Sequence, residues 1–97
     1  MRFEWDEAKR KANIAEHGID FRDVPEMFTS LMLVAPDARK DHGETRKIGF
    51  GIIRGRLMAV AFTEREPNSI RIISARKANK REEAHYQEAV ADELGKN

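Results

Sequence analysis

Apolar residues recur along this chain with two different periods, which predict helices towards its ends and strands in its middle. Near the N-terminus the spacing is helical, and the apolar positions are Trp5, Ala8, Ala12, Ala15 and Ile19. Asp6 can cap the first turn of such a helix, and Gly18 is typical of a helix end. We therefore predict a first helix that packs through this apolar face. His17 is expected to be a helix-end residue that interacts favourably with the helix dipole.

A second helix is predicted directly afterwards, because Asp20 is a capping residue and the next apolar positions are again helically spaced. Those positions are Phe21, Val24 and Phe28. Beyond them the pattern changes to runs that are typical of strands. The runs are Leu31–Ala35, Arg46–Ile53, Leu57–Glu64 and Ile70–Ala75, and Arg2–Trp5 is a candidate edge strand. Leu31–Ala35 is continuously apolar, so we expect it to be a buried strand.

The connections between the last three strands are short, which favours an antiparallel meander. Gly49 and Gly51 share one face of their strand, which either leaves the backbone accessible there or lets another element approach that face closely. A last helix is predicted after Asn79, whose partner in a capping box is Glu82. The sequence therefore predicts a single α+β domain over residues 1–97. It has an antiparallel sheet of about four strands, two N-terminal helices and one C-terminal helix.

Length and composition narrow the class of protein further. A chain of 97 residues suits one domain with a modest core. It contains no cysteine, which excludes a disulfide scaffold and a thiol nucleophile. No apolar run approaches the roughly 20 residues that span a bilayer, and the N-terminus lacks the apolar core of a signal peptide. We therefore expect a cytoplasmic protein without a membrane partner.

The net charge of +1 conceals a separation of charge along the chain. Residues 39–81, where the strands are predicted, carry twelve basic and four acidic side chains, whereas the segments on either side are net acidic. A basic middle segment favours an anionic partner, either nucleic acid or an acidic protein. The alternative is that acidic helices neutralise a basic sheet within the fold. Charge alone supports the two interpretations equally.

Arginines at strand ends and turns are the most distinctive candidates for chemistry. Arg65 and Arg71 share one edge of an antiparallel meander. Arg76 lies at the end where Gly55 turns, and the place of Arg46 depends on the register. Guanidinium groups bind phosphates in a bidentate way, so this set favours contact with a nucleic-acid backbone. The other interpretations are solvated turns and protection of a sheet edge.

The chain contains no motif for a metal, a cofactor or a covalent nucleophile. His17, His42 and His85 are far apart, and no pair has a spacing typical of metal ligands. No Gly-rich phosphate loop or nucleophile elbow occurs. We therefore predict neither a metal nor a cofactor.

Several segments of the chain together carry a family resemblance. The first is Phe3-Glu4-Trp5-Asp6 followed by Lys9, Asn13 and His17-Gly18. The others are Gly43-Glu44 with Arg46 and Gly49, Val60–Arg65, and Ile70–Arg76 with Ala78, Glu82 or Glu83, and Tyr86. Together these segments resemble the BrnT-type toxins. The matches run from Phe3 to Tyr86 in the order of the family, so they cover nearly the whole chain.

The resemblance implies a fold, an activity and a partner. BrnT-type proteins are toxins of type II toxin–antitoxin modules, with a RelE-like fold in which helices pack on one face of an antiparallel sheet. They are ribonucleases that arrest translation. A small BrnA-like antitoxin with a ribbon-helix-helix end neutralises them, and operator DNA is bound only through that complex. On this basis we expect an endoribonuclease whose partners are RNA and a cognate antitoxin.

The resemblance also implies cleavage without a metal, in which the ribose 2′-hydroxyl attacks the adjacent phosphate. Arg65 and Arg76 match recognisable arginines of the family and are predicted to stabilise charge on that phosphate. His42 and Tyr86 are candidate proton carriers, although Tyr86 also lies on an apolar helix stripe, which favours core packing. The residues expected to hold backbone phosphates are Arg46, Lys47, Arg56 and Lys77. The competing classes are a non-catalytic basic binding module and a structural adaptor.

Overall fold

The described part of the chain begins with a short strand and a helix and ends with a helix. The computed structural model describes residues 1–37 and 45–95. The elements are β1 (Arg2–Glu4), α1 (Glu7–His17), a 3₁₀ helix (Phe21–Thr29), β2 (Leu33–Pro36), β3 (Lys47–Ile53), β4 (Arg56–Arg65), β5 (Ser69–Lys77) and α2 (Lys80–Gly95). No helix in these two ranges is long and apolar enough to cross a membrane.

Five strands form one mixed sheet in the order β1-β5-β4-β3-β2. The three predicted strands of the meander are β3, β4 and β5, and they pair antiparallel as expected. β1 pairs parallel with β5. The α+β class is confirmed. The predicted antiparallel sheet of about four strands is wrong in two respects, because the sheet has five strands and the pair β1–β5 is parallel. β1 and β5 come from opposite ends of the chain, so an argument from short connections could not join them.

The 3₁₀ helix fills the centre of one sheet face. Its buried residues are Phe21, Val24 and Met27, which are three positions apart. A 3₁₀ helix has three residues per turn, so this spacing places them on one side. The predicted apolar positions Phe21 and Val24 are confirmed as buried. The helix is a 3₁₀ helix and not an α-helix, so Met27 is its third fully buried residue, and Phe28 packs against the core while partly buried. Met27 approaches Gly49 and Gly51 closely enough that a Cβ would meet it at 3.0 and 3.1 Å. This confirms the close approach predicted at the two glycines.

The apolar run Leu31–Ala35 lies at the edge of the sheet and not in its core. Only Leu33–Pro36 is strand, and it pairs with β3 alone. Val34 is 48% exposed. The expectation of a buried strand is therefore wrong. A continuous apolar run shows that a segment can be buried, but its position in the sheet decides whether it is.

A polar residue anchors α1 to the sheet. Asn13 is buried, whereas Ala8, Ala12 and Ala15 are exposed, so the predicted apolar face of this helix is wrong. The Asn13 side-chain amide donates to the carbonyls of Ile19 and Ala75, each at 2.9 Å, and its Oδ1 accepts from the Ala75 N–H at 3.1 Å. β1 pairs only with Ser69–Arg71. Asn13 therefore provides hydrogen-bond partners for the backbone of β5 beyond the point where β1 ends.

The predicted caps are present at both α-helices. The Asp6 carboxylate accepts from the N–H groups of Ala8 and Lys9, and Gly18 ends α1 with a φ of 71°. At α2, Glu82 and Asn79 exchange the two hydrogen bonds of a capping box. The helix boundaries that sequence chemistry predicted are therefore confirmed.

Arg10 and Asp20 join α1 to the start of the 3₁₀ helix. Arg10 Nε donates to Asp20 Oδ1 at 2.8 Å, and Nη2 donates to Oδ2 at 3.0 Å. These hydrogen bonds are the largest cause of a lowered pKa of Asp20, which falls from 3.8 to about 2. The ionised carboxylate is therefore the form that the fold stabilises.

We expect acid to remove this contribution to stability. The folded pKa of Asp20 is lower than the ordinary one, so the stabilisation is complete above 3.8 and is lost as the pH falls towards 2. Solvent screening keeps the contribution modest. Arg10→Ala should lower the free energy of unfolding at pH 7 and lower it by much less at pH 2. Denaturant titrations at both pH values measure the difference, and an equal loss at the two would contradict the assignment.

Candidate functional site

The side chains of β4 alternate between two environments. The core side, against the 3₁₀ helix, takes Met58, Val60 and Phe62. Ala59 and Ala61 point to the opposite face, where with Ile48 and Ser74 they line a groove of about 590 Å³. Ala59 and Ala61 are each only 3% exposed, so they lie at the bottom of this groove. We call this space the open-face groove.

Charged side chains border the open-face groove on the β5 side. Arg76 lies on β5 and borders the groove. Glu16 and His17, at the end of α1, border it as well. Pro36, the last residue of β2, and Asp37, which follows it, border the opposite side. The groove therefore has a mixed border of charged and titratable groups above an uncharged floor.

Arg76 is held in place by Glu82. Its Nη1 and Nη2 donate to the two oxygens of that carboxylate at 2.8 and 2.9 Å, and Nη1 also donates to the Lys77 carbonyl at 3.2 Å. The Arg76 hydrogen bonds are the main reason that the pKa of Glu82 is lowered. Glu82 also accepts from the Asn79 N–H, so the start of α2 fixes the orientation of the arginine.

The guanidinium of Arg76 still has donors to offer. Arginine carries five N–H groups, and the contacts above use three of them. The Nε N–H and one Nη2 N–H have no acceptor within the described chain. They lie on the same edge of the guanidinium plane, which is the edge that binds two oxygens of a phosphate or carboxylate. Because the side chain is 41% exposed, an anion in the groove can reach this edge.

His17 was not predicted as a site residue from the sequence. It was expected only to favour the dipole of α1, but the structure places it at the border of the open-face groove. Its Nε2 lies 3.4 Å from Glu16 Oε1, and its side chain is 36% exposed. The signal that would have found it is its spacing from Asn13. Four residues form about one helical turn, so His17 lies on the side of α1 that faces β5.

Arg65 lies at the other end of the sheet. It pairs with Ser69, whereas Arg76 pairs with Ala59. Six residues separate Ala59 from Arg65 along β4, which corresponds to roughly 20 Å. The structure therefore does not bring Arg65 and Arg76 to the same phosphate, although it places Arg76 at the Gly55 end as predicted.

Arg65 lies at the same end of the sheet as two other arginines, Arg71 and Arg46. Glu4 Oε1 lies 3.6 Å from Arg71 Nη1 and 4.0 Å from Arg65 Nε. Arg46 precedes Lys47, the register partner of Phe62, so it lies at this same end. This settles the place of Arg46 that the sequence left open. The Arg46 Nε and the hydroxyl of Thr63, the register partner of Arg71, are both buried without a hydrogen-bond partner in the described residues.

The remaining predicted site residues lie in several places. Arg56 and Lys77 border a cleft on the other side of His17. Lys47 forms an ion pair with Glu64. Tyr86 is buried and its hydroxyl donates to the Leu31 carbonyl at 2.9 Å, which supports a packing role. His42 lies outside the described residues. Within residues 1–37 and 45–95 no three histidine or carboxylate side chains form a group that could hold a metal ion.

Comparison with known proteins identifies the class and then the family. A sequence profile of the BrnT ribonuclease toxin of type II toxin–antitoxin systems matches residues 5–82. No curated protein sequence matches. The crystal structure of the Brucella abortus ribonuclease toxin BrnT is similar, with 35% identity and a TM-score of 0.68 over 82% of this chain and 99% of that one. The chain is thus of the class of toxins in type II toxin–antitoxin systems. Within that class, it belongs to the BrnT ribonuclease toxin family.

Proposed function

We propose that this protein is an endoribonuclease toxin that cleaves RNA in the open-face groove without a metal. The observation that carries the proposal is the free donor edge of Arg76 beside His17, above a floor of short side chains. A phosphate oxygen pair fits that edge, and histidine is the side chain that ordinarily exchanges protons near neutral pH. Membership of the BrnT family supports the choice of RNA as the substrate.

In the proposed reaction RNA supplies its own nucleophile. The ribose 2′-hydroxyl loses its proton and attacks the adjacent phosphorus, and the bond to the 5′-oxygen of the next nucleotide breaks. The products end in a 2′,3′-cyclic phosphate and a 5′-hydroxyl. Arg76 neutralises the charge that builds on the non-bridging oxygens, and His17 accepts or returns a proton. His42 remains a second candidate proton carrier.

Several other predicted site residues lie away from the reacting phosphate. Arg65, roughly 20 Å from Arg76, and Arg46 at the same end of the sheet would hold the RNA chain away from the cleaved bond. Lys47 would join them only after leaving Glu64. The packing of Tyr86 argues against a proton-transfer role for its hydroxyl.

The proposed partner is a BrnA-like antitoxin with a ribbon-helix-helix end. It would neutralise the toxin in the cytoplasm and carry the complex to operator DNA. Membership of a type II toxin–antitoxin family supports the existence of an antitoxin. We also propose that the fold is RelE-like.

Incubation of the purified protein with a short RNA in EDTA tests the reaction. We expect fragments with 2′,3′-cyclic phosphate and 5′-hydroxyl ends, because no metal takes part in the proposed steps. The matched control is the same oligonucleotide with one 2′-deoxyribose at the cleaved position, which removes the nucleophile and should remain intact. Cleavage of that control, or strict dependence on a divalent cation, would contradict the mechanism. Binding of RNA without any cleavage would favour the non-catalytic binding module.

A further inference from the structure

A second cleft lies on the other side of His17 from the open-face groove. It has a volume of about 530 Å³ and lies where α1, the 3₁₀ helix and the β3–β4 turn meet. We call it the rim cleft. Its apolar lining residues are Ile14, Ile19, Ile53 and Met58. Its basic lining residues, besides His17, are Arg22, Arg54, Arg56 and Lys77. The rim cleft therefore combines an apolar surface with a basic border.

The two carboxylates of the rim cleft already have partners. Both carboxylate oxygens of Asp20 accept hydrogen bonds from Arg10. Asp23 lies 3.5 Å from Arg54 Nη1. The three other basic side chains have no ion-pair partner among residues 1–37 and 45–95, and they are Arg22, Arg56 and Lys77. The cleft therefore presents an excess of positive charge to an incoming ligand.

The rim cleft and the open-face groove share one border residue, His17. Arg76 and Lys77 are neighbours on β5, so their side chains point to opposite faces of the sheet. Arg76 borders the groove, and Lys77 borders the rim cleft. The two spaces therefore lie on opposite faces of the sheet and meet at His17.

We propose that the rim cleft binds the RNA nucleotide just beyond the two that the cleaved phosphodiester joins. Its phosphate contacts Arg22, Arg56 and Lys77, and its base or ribose lies on the apolar surface. Aliphatic side chains offer no donors or acceptors to base edges, so this subsite accepts any base. The inference rests on the proposed function, because the same RNA strand occupies both spaces. An acidic protein could also meet these cations, but the border that the cleft shares with the groove at His17 favours RNA.

A binding measurement with an uncleavable substrate tests the rim cleft apart from catalysis. The probes are a dinucleotide and a longer single-stranded RNA, each with 2′-deoxyribose at the cleaved position. For the double variant Arg22→Ala with Arg56→Ala we expect an affinity for the longer RNA about tenfold lower, and a much smaller change for the dinucleotide. The slope of log affinity against log salt should become shallower by about 1.4, since two cations are lost from contact with a single strand.

The matched control removes the same charge elsewhere. Lys9 and Lys11 are exposed on α1 and border neither space, so Lys9→Ala with Lys11→Ala should leave the salt slope unchanged. Equal weakening of the two probes by the rim variant would overturn the proposal. So would unchanged RNA binding together with weaker binding of the antitoxin, because the cleft would then serve that protein. Failure of the wild type to cleave RNA would count against the proposed function, whereas the binding result would still decide the subsite.

Discussion

Replacing Arg76 by alanine should lower the rate of RNA cleavage by a factor of about 100 or more. The substitution removes the two free donors, Nε and one Nη2 N–H, that are placed to stabilise charge on the reacting phosphate. These donors are oriented before the substrate binds, because Glu82 and the Lys77 carbonyl hold the guanidinium. Single-turnover cleavage at saturating RNA measures the effect, since it reports the chemical step and not binding.

Two further variants show whether the effect belongs to the geometry of Arg76. Arg76→Lys keeps the charge but lacks the planar pair of donors, so it should recover only a small part of the rate. Arg65→Ala removes an arginine roughly 20 Å away, so we expect it mainly to raise the RNA concentration needed for half-maximal rate. Far-UV circular dichroism checks that each variant is folded. A wild-type single-turnover rate in Arg76→Ala would remove Arg76 from the proposed reaction.

The separation of Arg65 from Arg76 shows what family resemblance could and could not supply. Resemblance selected two arginines, and the meander correctly placed Arg76 at the Gly55 end. Strand length then keeps them apart, because a β-strand adds about 3.3 Å per residue. Two matched arginines need not meet the same phosphate. An RNA chain that lies along the sheet can contact both, which explains how each can matter without sharing one site.

The meander could be predicted because its information is local. Short turns between apolar runs fix antiparallel neighbours, and the Arg54-Gly55 turn has φ values of 52° and 80°, which suit a two-residue hairpin. The parallel pairing of β1 and the edge position of β2 depend on contacts between distant parts of the chain. Neither leaves a signal in the spacing of apolar residues.

The candidate site was harder to predict because it depends on where α1 crosses the sheet. The alanines suggested an apolar contact face, which would have turned His17 away from the groove. Asn13 sets the rotation of the helix instead, through contacts with a strand 62 residues further along the chain. A single buried amide is a weak sequence signal, yet it decides which side chains of α1 border the open-face groove and the rim cleft.

Asn13→Ala is therefore expected to destabilise the protein by about 3 kcal/mol. The substitution leaves three buried backbone groups without their partner, namely the Ala75 N–H and the carbonyls of Ala75 and Ile19. Each unsatisfied buried group costs about 1–3 kcal/mol, and partial access of water to the loosened helix reduces the total. Denaturant unfolding measures the loss as a lower midpoint at an unchanged slope.

Lys11→Ala is the matched control on the same helix, because Lys11 is exposed and should change stability by less than about 0.5 kcal/mol. The anchor also carries a functional consequence. If Asn13 holds His17 over the groove, Asn13→Ala should slow cleavage even at temperatures where the variant is fully folded. A variant with wild-type stability would show that other contacts fix α1, such as the Arg10–Asp20 pair. A destabilised variant with a wild-type rate would instead separate the position of His17 from the chemistry, and the proton carrier would have to be sought elsewhere.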